Sequence, residues 1–402
     1  MKSFEELMAA EQPKLLNCVH CGLCLDECPT YRISGDENNS PRGRLAIWRA
    51  IAEDRLKPDA TTDFYSDECV GCLACVSACP ANVPYGDILL ETRAHRVSEG
   101  KKPSRFLRFS AALARRPRLL SFLSFPLRLA RRMGLRPQPK IFPGKPALFQ
   151  STGSYARKVA MALKPSGPQV ALLEGCVMDA VFREINFATV RVLAANGYQV
   201  SVPEDQGCCG AMHEHAGLPG KDKLDAANRK AFQGADVVLT NSSGCGLALS
   251  HALPGQQRDL IDFLEHAELK AGAPLDADHL YYDFPCHSYH GLGLKEAPRN
   301  LFAAIGADWS LAPDADRCCG SGGAYMMTHE KNSREILKAK SDFLNHTPFK
   351  APVLATANHV CMMQWDSAMD SGLVKKKVPV RHLVQLLDES YQKAGYYRAL
   401  GF

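Results

Sequence analysis

Apolar positions follow three different styles along the 402 residues. From residue 169 onward, short apolar runs each lead to a cysteine: Val170-Ala-Leu-Leu-Glu-Gly-Cys176, Val237-Val-Leu-Thr-Asn-Ser-Ser-Gly-Cys245, Leu280-Tyr-Tyr-Asp-Phe-Pro-Cys286 and Val353-Leu-Ala-Thr-Ala-Asn-His-Val-Cys361. Each run reads as a buried strand ending in Cys, and helical stretches such as 180–197, closed by Asn196-Gly197, lie between them. Each half therefore reads as a small α/β unit with cysteines at the carboxyl ends of strands, where open α/β sheets place their sites. Upstream, Ser40-Pro41 reads as the N-cap and first residue of a helix that turns Leu45, Trp48 and Ile51 inward. Between these regions, Pro103, Pro117, Pro126, Pro137, Pro143 and Pro146 break residues 101–168 into short pieces. Phe106, Leu107, Phe109, Leu113, Leu119, Leu120, Phe122, Leu123, Phe125, Leu127 and Leu129 alternate there with arginines. No apolar run reaches the roughly 18 to 20 residues of a membrane span.

The two α/β halves repeat one another. Cys176, Cys208 and Cys209 are each 110 residues before Cys286, Cys318 and Cys319. The step from Cys245 to Cys361 is six longer, which predicts an insertion near 345–352. The pattern divides the chain into a cysteine-rich domain at 1–100, a basic amphipathic linker at 101–168, and repeats at 169–275 and 276–402.

The first hundred residues carry the sharpest chemistry. Cys18-Val-His-Cys21-Gly-Leu-Cys24-Leu-Asp-Glu-Cys28-Pro29 is a C-x2-C-x2-C-x3-C-P run, repeated as Cys69-Val-Gly-Cys72-Leu-Ala-Cys75-Val-Ser-Ala-Cys79-Pro80. Three thiolates at this spacing wrap one 4Fe-4S cluster, while the fourth cysteine, before Pro, reaches the other cluster. Cys18, Cys21, Cys24 and Cys79 are thus assigned to one cluster, and Cys69, Cys72, Cys75 and Cys28 to the second. Zinc uses paired C-x2-C as well, but it has no need of the third close cysteine or the trailing Pro. Arg42 and Arg44 are placed to offset cluster charge, or else simply to sit in a solvated first turn.

Sixteen cysteines in a chain beginning Met-Lys-Ser-Phe-Glu-Glu-Leu-Met, without an apolar signal core, point to metal ligands in a reducing compartment. The net charge is only +5, yet no Asp or Glu occurs between Glu99 and Glu174. Lys101, Lys102, Arg105, Arg108, Arg115, Arg116, Arg118, Arg128, Arg131, Arg132, Arg136 and Lys140 fill the first part of that gap. Such a stretch suits an interfacial helix on anionic head groups, or equally a clamp on an acidic partner subunit. Nothing else resembles a nucleic-acid module.

A cysteine, about thirty residues, Cys-Cys-Gly and a further cysteine, occurring twice, resembles the cysteine-rich CCG domain of heterodisulfide reductase. With two ferredoxin runs in front, and with Gly207-Cys-Cys-Gly-Ala-Met-His213-Glu-His215-Ala-Gly217 and Asn241-Ser-Ser-Gly-Cys245-Gly246 in the first repeat, nearly the whole chain resembles the glycolate oxidase iron-sulfur subunit family. The resemblance implies an α+β, helical two-cluster ferredoxin-like domain followed by a pair of α/β CCG repeats. It implies two 4Fe-4S clusters in the former and one further iron-sulfur cluster per repeat, on Cys176, Cys208, Cys209 and Cys245, and on Cys286, Cys318, Cys319 and Cys361. Heterodisulfide reductase repeats end in C-x-x-C; here Ala248 and Gln364 stand at the last position. His213, His215, His287 and His290 flank the cysteines, either as proton relays or as hydrogen-bonded structural groups.

No dinucleotide fingerprint or catalytic triad is present, so the chain lacks the hydride or flavin chemistry that oxidising a hydroxy acid needs. The expected role is the non-flavin, electron-transfer subunit of a glycolate or D-2-hydroxy acid dehydrogenase whose acceptor is not NAD. Flavin-containing dehydrogenase subunits would donate, quinone or another acceptor would receive, and the complex would be cytoplasmic, peripheral on the inner face of the membrane. Two alternatives remain: an electron-transfer subunit like the one in anaerobic glycerol-3-phosphate dehydrogenase, and a catalytic disulfide reductase.

Overall fold

The computed structural model describes residues 3–133 and 148–402. Pro137, Pro143, Pro146, Arg136 and Lys140 lie outside the described residues, as does the side chain of Arg131.

The amino-terminal region is helical. Ser3 and Glu6 close a reciprocal capping box on the helix Phe4–Leu15. Phe4, Met8 and Leu15 pack in one buried cluster with Leu45, Trp48 and Ile51 of the helix Pro41–Ala52 and Ile88 and Leu89 of Tyr85–Ser98. Ser40 caps Pro41–Ala52 by accepting from Gly43 N at 2.9 Å, and Leu45, Trp48 and Ile51 are buried, as their spacing predicts.

The carboxy-terminal two thirds hold two parallel sheets. β1 (Gln169–Leu172), β2 (Gln199–Ser201), β3 (Val238–Thr240) and β4 (Gln257–Asp259) form the first, in the order β2-β1-β3-β4. β5 (His279–Tyr282), β6 (Trp309–Leu311), β7 (Pro352–Thr356) and β8 (Val380–His382) form the second, in the order β6-β5-β7-β8. Every pairing is parallel, so helices cover both faces. The second repeat has the short helix Phe343–His346, which runs into the 345–352 stretch where the slipped spacing predicts an insertion.

The strands are shorter than the apolar runs that announce them. Cys176 is the N-cap of the helix Val177–Val181, while Cys245 and Cys361 lie in the first turns of Ser243–Ser250 and His359–Asp370. The first turns of these helices are themselves buried, so apolar continuity passes the strand end unmarked.

One core runs through both sheets, and the helices Arg183–Ala195 and Leu383–Lys393 pack together inside it. Arg191 pairs there with Asp388 at 2.6 Å. Thr152–Leu163, within the stretch read as linker, also packs on Arg183–Ala195, with Tyr155 stacked on Phe187 at 4.0 Å.

Candidate metal centres

Both ferredoxin runs fold into loops with matching backbone turns. His20 and Gly22 in the first, and Gly71 and Leu73 in the second, hold positive φ at equivalent places. Such turns face successive N–H groups inward, and each loop accepts one non-glycine residue at a strain of about 1 kcal/mol or more to make them. Cys28 opens the helix Pro29–Ser34, with Pro29 as its first residue.

The side chains surround two adjoining cavities. One, of about 440 Å³ including its mouth to solvent, is lined by Cys18, Cys21, Cys24 and Cys79. The other, of about 290 Å³ likewise including its opening to solvent, is lined by Cys28, Cys69 and Cys72. Cys75 stands in the wall between them and borders both. Each cavity thus gathers cysteines of one run and the fourth cysteine of the other, the crossing that two 4Fe-4S clusters need. Pro41, Leu45, Val83 and Tyr85 supply apolar wall to the first. Among the described residues, no three or more His, Cys, Asp or Glu side chains are arranged to hold a single metal ion. A four-iron cluster keeps its thiolates further apart than one ion does.

Charge is distributed unevenly between the cavities. Arg44 is 1% exposed and lines the smaller one. It donates to Tyr65 O at 2.6 Å, Asn39 O at 2.8 Å and Thr30 Oγ1 at 3.3 Å. Burial opposes the Cys69 thiolate, but the guanidiniums of Arg44 and Arg93 outweigh it and hold that thiol below its ordinary pKa. Arg42 clamps the other loop from the solvent side, donating to His20 O at 2.9 Å and Glu37 Oε1 at 2.7 Å.

In each α/β repeat four thiols form a chain. Cys176 Sγ lies 3.3 Å from Cys208 Sγ, and Cys209 shares hydrogen bonds with Cys208 and Cys245. Cys286, Cys318, Cys319 and Cys361 follow the same order. Hydrogen bonding to Cys318 and burial push Cys319 up to about 12. Thiols crowded this way keep their protons unless cations replace them. The cysteines flank neighbouring strands, β1 and β3 or β5 and β7, at the point where strand order reverses, the usual place for a site in an open α/β sheet. Ala248 is buried beside Cys208 and Cys209. Gln364 instead donates to Cys319 O at 3.0 Å and Ser333 Oγ at 2.9 Å.

The histidines join the parts. His287 Nε2 meets Gly71 O at 3.0 Å, in the second ferredoxin loop, and its ring lies 5.1 Å from that of His215. His290 bridges Ser77 Oγ at 2.9 Å and Asp316 O at 2.8 Å. Burial lowers the pKa of His213, His215, His287 and His290 alike. Gly217 has φ +65°, and a Cβ there would run into Arg93 O, which sets how closely the first repeat approaches the ferredoxin helix. Val70 and Cys72 of the ferredoxin loop share a buried cluster with Cys318, Tyr325 and Ile336 of the second repeat.

Sequence reasoning missed a buried ion pair beside the second repeat's cysteines. Lys340 Nζ lies 2.6 Å from Asp283, and Trp365 Nε1 donates to Asp283 Oδ2 at 2.7 Å. In sequence, Lys340 looks like any lysine on the polar side of a helix.

The loops, cavities and sheets define an iron-sulfur electron-transfer protein with a 4Fe-4S dicluster domain and two cysteine-rich domains. Family models agree: a 4Fe-4S dicluster domain matches residues 14–83, and a cysteine-rich domain matches 170–250 and 280–366. The probable glycolate oxidase iron-sulfur subunit of Bacillus subtilis is 30% identical over 432 residues, covering 96% of both chains. The glycolate oxidase iron-sulfur subunit of Escherichia coli is 27% identical, covering 94% of both. One of the subunits of the fumarate reductase (CoM/CoB) of Methanothermobacter marburgensis is 26% identical, over 94% of this chain and 73% of its own. The chain belongs to the glycolate oxidase iron-sulfur subunit family.

Proposed function

We propose that this chain carries electrons from a flavin-containing 2-hydroxy acid dehydrogenase subunit toward a membrane quinone. The observation that carries the reading is the crossed lining of the two cavities, continued by the packing of Cys72 against the second repeat's Cys318. A 4Fe-4S cluster supplies one-electron transfer when bound. Cys18, Cys21, Cys24 and Cys79 would hold one, and Cys69, Cys72, Cys75 and Cys28 the other. Cys176, Cys208, Cys209 and Cys245, and Cys286, Cys318, Cys319 and Cys361, would hold one centre per repeat. The domain limits near residues 100, 168 and 275 belong to the same proposal. Val19 is 69% and Leu23 59% exposed around the exposed Cys21, so the first loop is the face a donor can approach.

Anaerobic pull-down with the partner subunits, followed by dye reduction, tests the reading. Co-purifying flavin and turnover with glycolate or D-lactate are expected. Turnover with glycerol 3-phosphate alone would assign the donor differently, and disulfide reduction by the isolated chain would make it catalytic. Iron content separates the repeats' role: only about eight irons, the content of two 4Fe-4S clusters, would remove the centres from the repeats.

A further inference from the structure

The helices Arg105–Ala114, Pro117–Leu123 and Phe125–Arg132 have two unlike faces. The inner face covers the first repeat's cysteines: Ala114 and Leu120 pack in one cluster with Cys176, Cys208 and Cys209. Arg105–Ala114 packs on Ala211–Ala216, which follows Cys208-Cys209, and Pro117–Leu123 packs on Val177–Val181, which follows Cys176. Buried Arg128 fastens this roof by donating to Ala180 O at 2.9 Å, and Arg183 Nη2 donates to Ser121 Oγ at 2.7 Å.

The outer face is different. Phe106 is 53%, Phe109 66% and Phe122 73% exposed, with Arg105, Arg108 and Arg116 exposed among them. Aromatic rings left in water, interleaved with arginines and with no acidic residue from 100 to 173, match the chemistry of an anionic lipid interface, hydrocarbon for the rings and head groups for the guanidiniums. An acidic protein would satisfy the arginines but leave the rings unexplained. In the second repeat, the ferredoxin loop takes the place of this roof, with Val70 and Cys72 packed on Cys318 and Tyr325.

We propose that the outer face of residues 105–132 lies on anionic lipid, and that the four cysteines of the first repeat, directly beneath it, form the exit centre that reduces a lipid-dissolved quinone. The inference rests on the electron-transfer reading above. A 2-hydroxy acid oxidised to the 2-keto acid gives up two electrons and two protons. The electrons pass singly along the chain, and the quinone takes both, with two protons from water, to become the quinol.

The test uses the anaerobically purified full chain with mixed phosphatidylcholine–phosphatidylglycerol vesicles containing an azido-substituted quinone. Hydrogen exchange is expected to slow in residues 105–133, and illumination to attach the quinone to peptides from 105–133 or 176–216. Absence of protection, or label on peptides from 18–79 or 286–361, would overturn the proposal. So would protection of 105–133 that needs the flavin subunits and no vesicles, because the segment would then be a protein clamp. The variant Phe106→Ser/Phe109→Ser/Phe122→Ser changes exposed rings only, and is expected to weaken vesicle binding by roughly tenfold per ring; unchanged flotation counts against it. Cluster reduction by the flavin subunits in lipid-free solution, followed by EPR, separates the two readings. If it persists while the label falls elsewhere, this inference alone fails; if it is absent, the electron-transfer reading fails.

Discussion

The two cysteine-rich repeats share strand order and the spacing of their first three cysteines, yet they are stabilised by different chemistry. In each, a helix lays apolar side-chain atoms against the glycine of Cys-Cys-Gly: Leu224 and the stem of Lys221, which pairs with Asp225, on Gly210, and Ile336 on Gly320. One turn further along, the first repeat has Asn228, which accepts from Gly207 N at 2.9 Å and donates to Cys208 O at 3.0 Å. The second has Lys340, which donates to Arg317 O and pairs with Asp283. A neutral amide and a buried ion pair thus tie down the same loop. Fold fixes where the cysteines go, whereas local charge is free to diverge with what covers each repeat.

The ion pair gives the largest expected effect. Lys340→Met leaves Asp283 buried without its cation, at a cost of about 3–5 kcal/mol. Asn228→Ala leaves one N–H and one carbonyl unpaired, at a cost of about 1–3 kcal/mol. Anaerobic urea unfolding of both variants measures the difference. Equal losses would mean that the two ties are energetically interchangeable.

The repeats also differ at the last strand of each sheet. Asp259 caps Leu260–Glu265 by accepting from Ile261 N at 2.8 Å, and His382 caps Leu383–Lys393 by accepting from Val384 N at 3.3 Å. Burial pushes Asp259 up to about 6 and pulls His382 down to about 4. The folded chain holds an extra proton on Asp259 between about pH 4 and 6, so that cap loses stability as pH rises through this window. The folded chain refuses a proton at His382 that the unfolded chain takes below about 6.5, so that cap loses stability as pH falls. Asp259→Asn should therefore gain on the parent as pH rises from about 4 to 7, and His382→Asn should gain as it falls, each by at most about 3 kcal/mol. Thermal unfolding across that range checks the signs. A common sign would break the contrast.

How much of this was legible in sequence depended on whether the signal was local. Cys18 to Cys28 and Cys69 to Cys79 announce two ligand loops because spacing within a loop is a short-range constraint. Ser40-Pro41 announces a helix for the same reason. The cavity that Cys28 and Cys79 each line is set instead by how the two runs pack together. The register of the repeats pointed to an insertion near 345–352, and the short helix Phe343–His346 overlaps only the start of that stretch. Arg44 and Lys340 were harder: each sits on a helix whose sequence does not distinguish a solvated cation from one buried by a distant segment. His287 is similar, since its partner Gly71 lies 216 residues away. The basic stretch showed its two-sidedness in composition, but only the fold showed that its inner side covers the first repeat.

The smallest effect concerns the missing fifth cysteine. Ala248 and Gln364 stand at equivalent positions three residues after Cys245 and Cys361, but their surroundings differ. Ala248→Cys adds one sulfur to a packed cluster and breaks no side-chain hydrogen bond, so it should cost only about 1 kcal/mol or slightly more. Gln364→Cys removes the donor to Cys319 O and Ser333 and strands buried acceptors, at about 1–3 kcal/mol. EPR of each variant adds a readout that stability does not give. A fifth thiol that engages the first centre should shift its spectrum at Ala248→Cys, with little change in stability. In the second repeat, the Cys319 loop loses its tether at the same moment that the thiol arrives. A shift in both spectra with equal stability loss would show that Gln364 is a placeholder rather than a tie, and would restore the symmetry that its hydrogen bonds break.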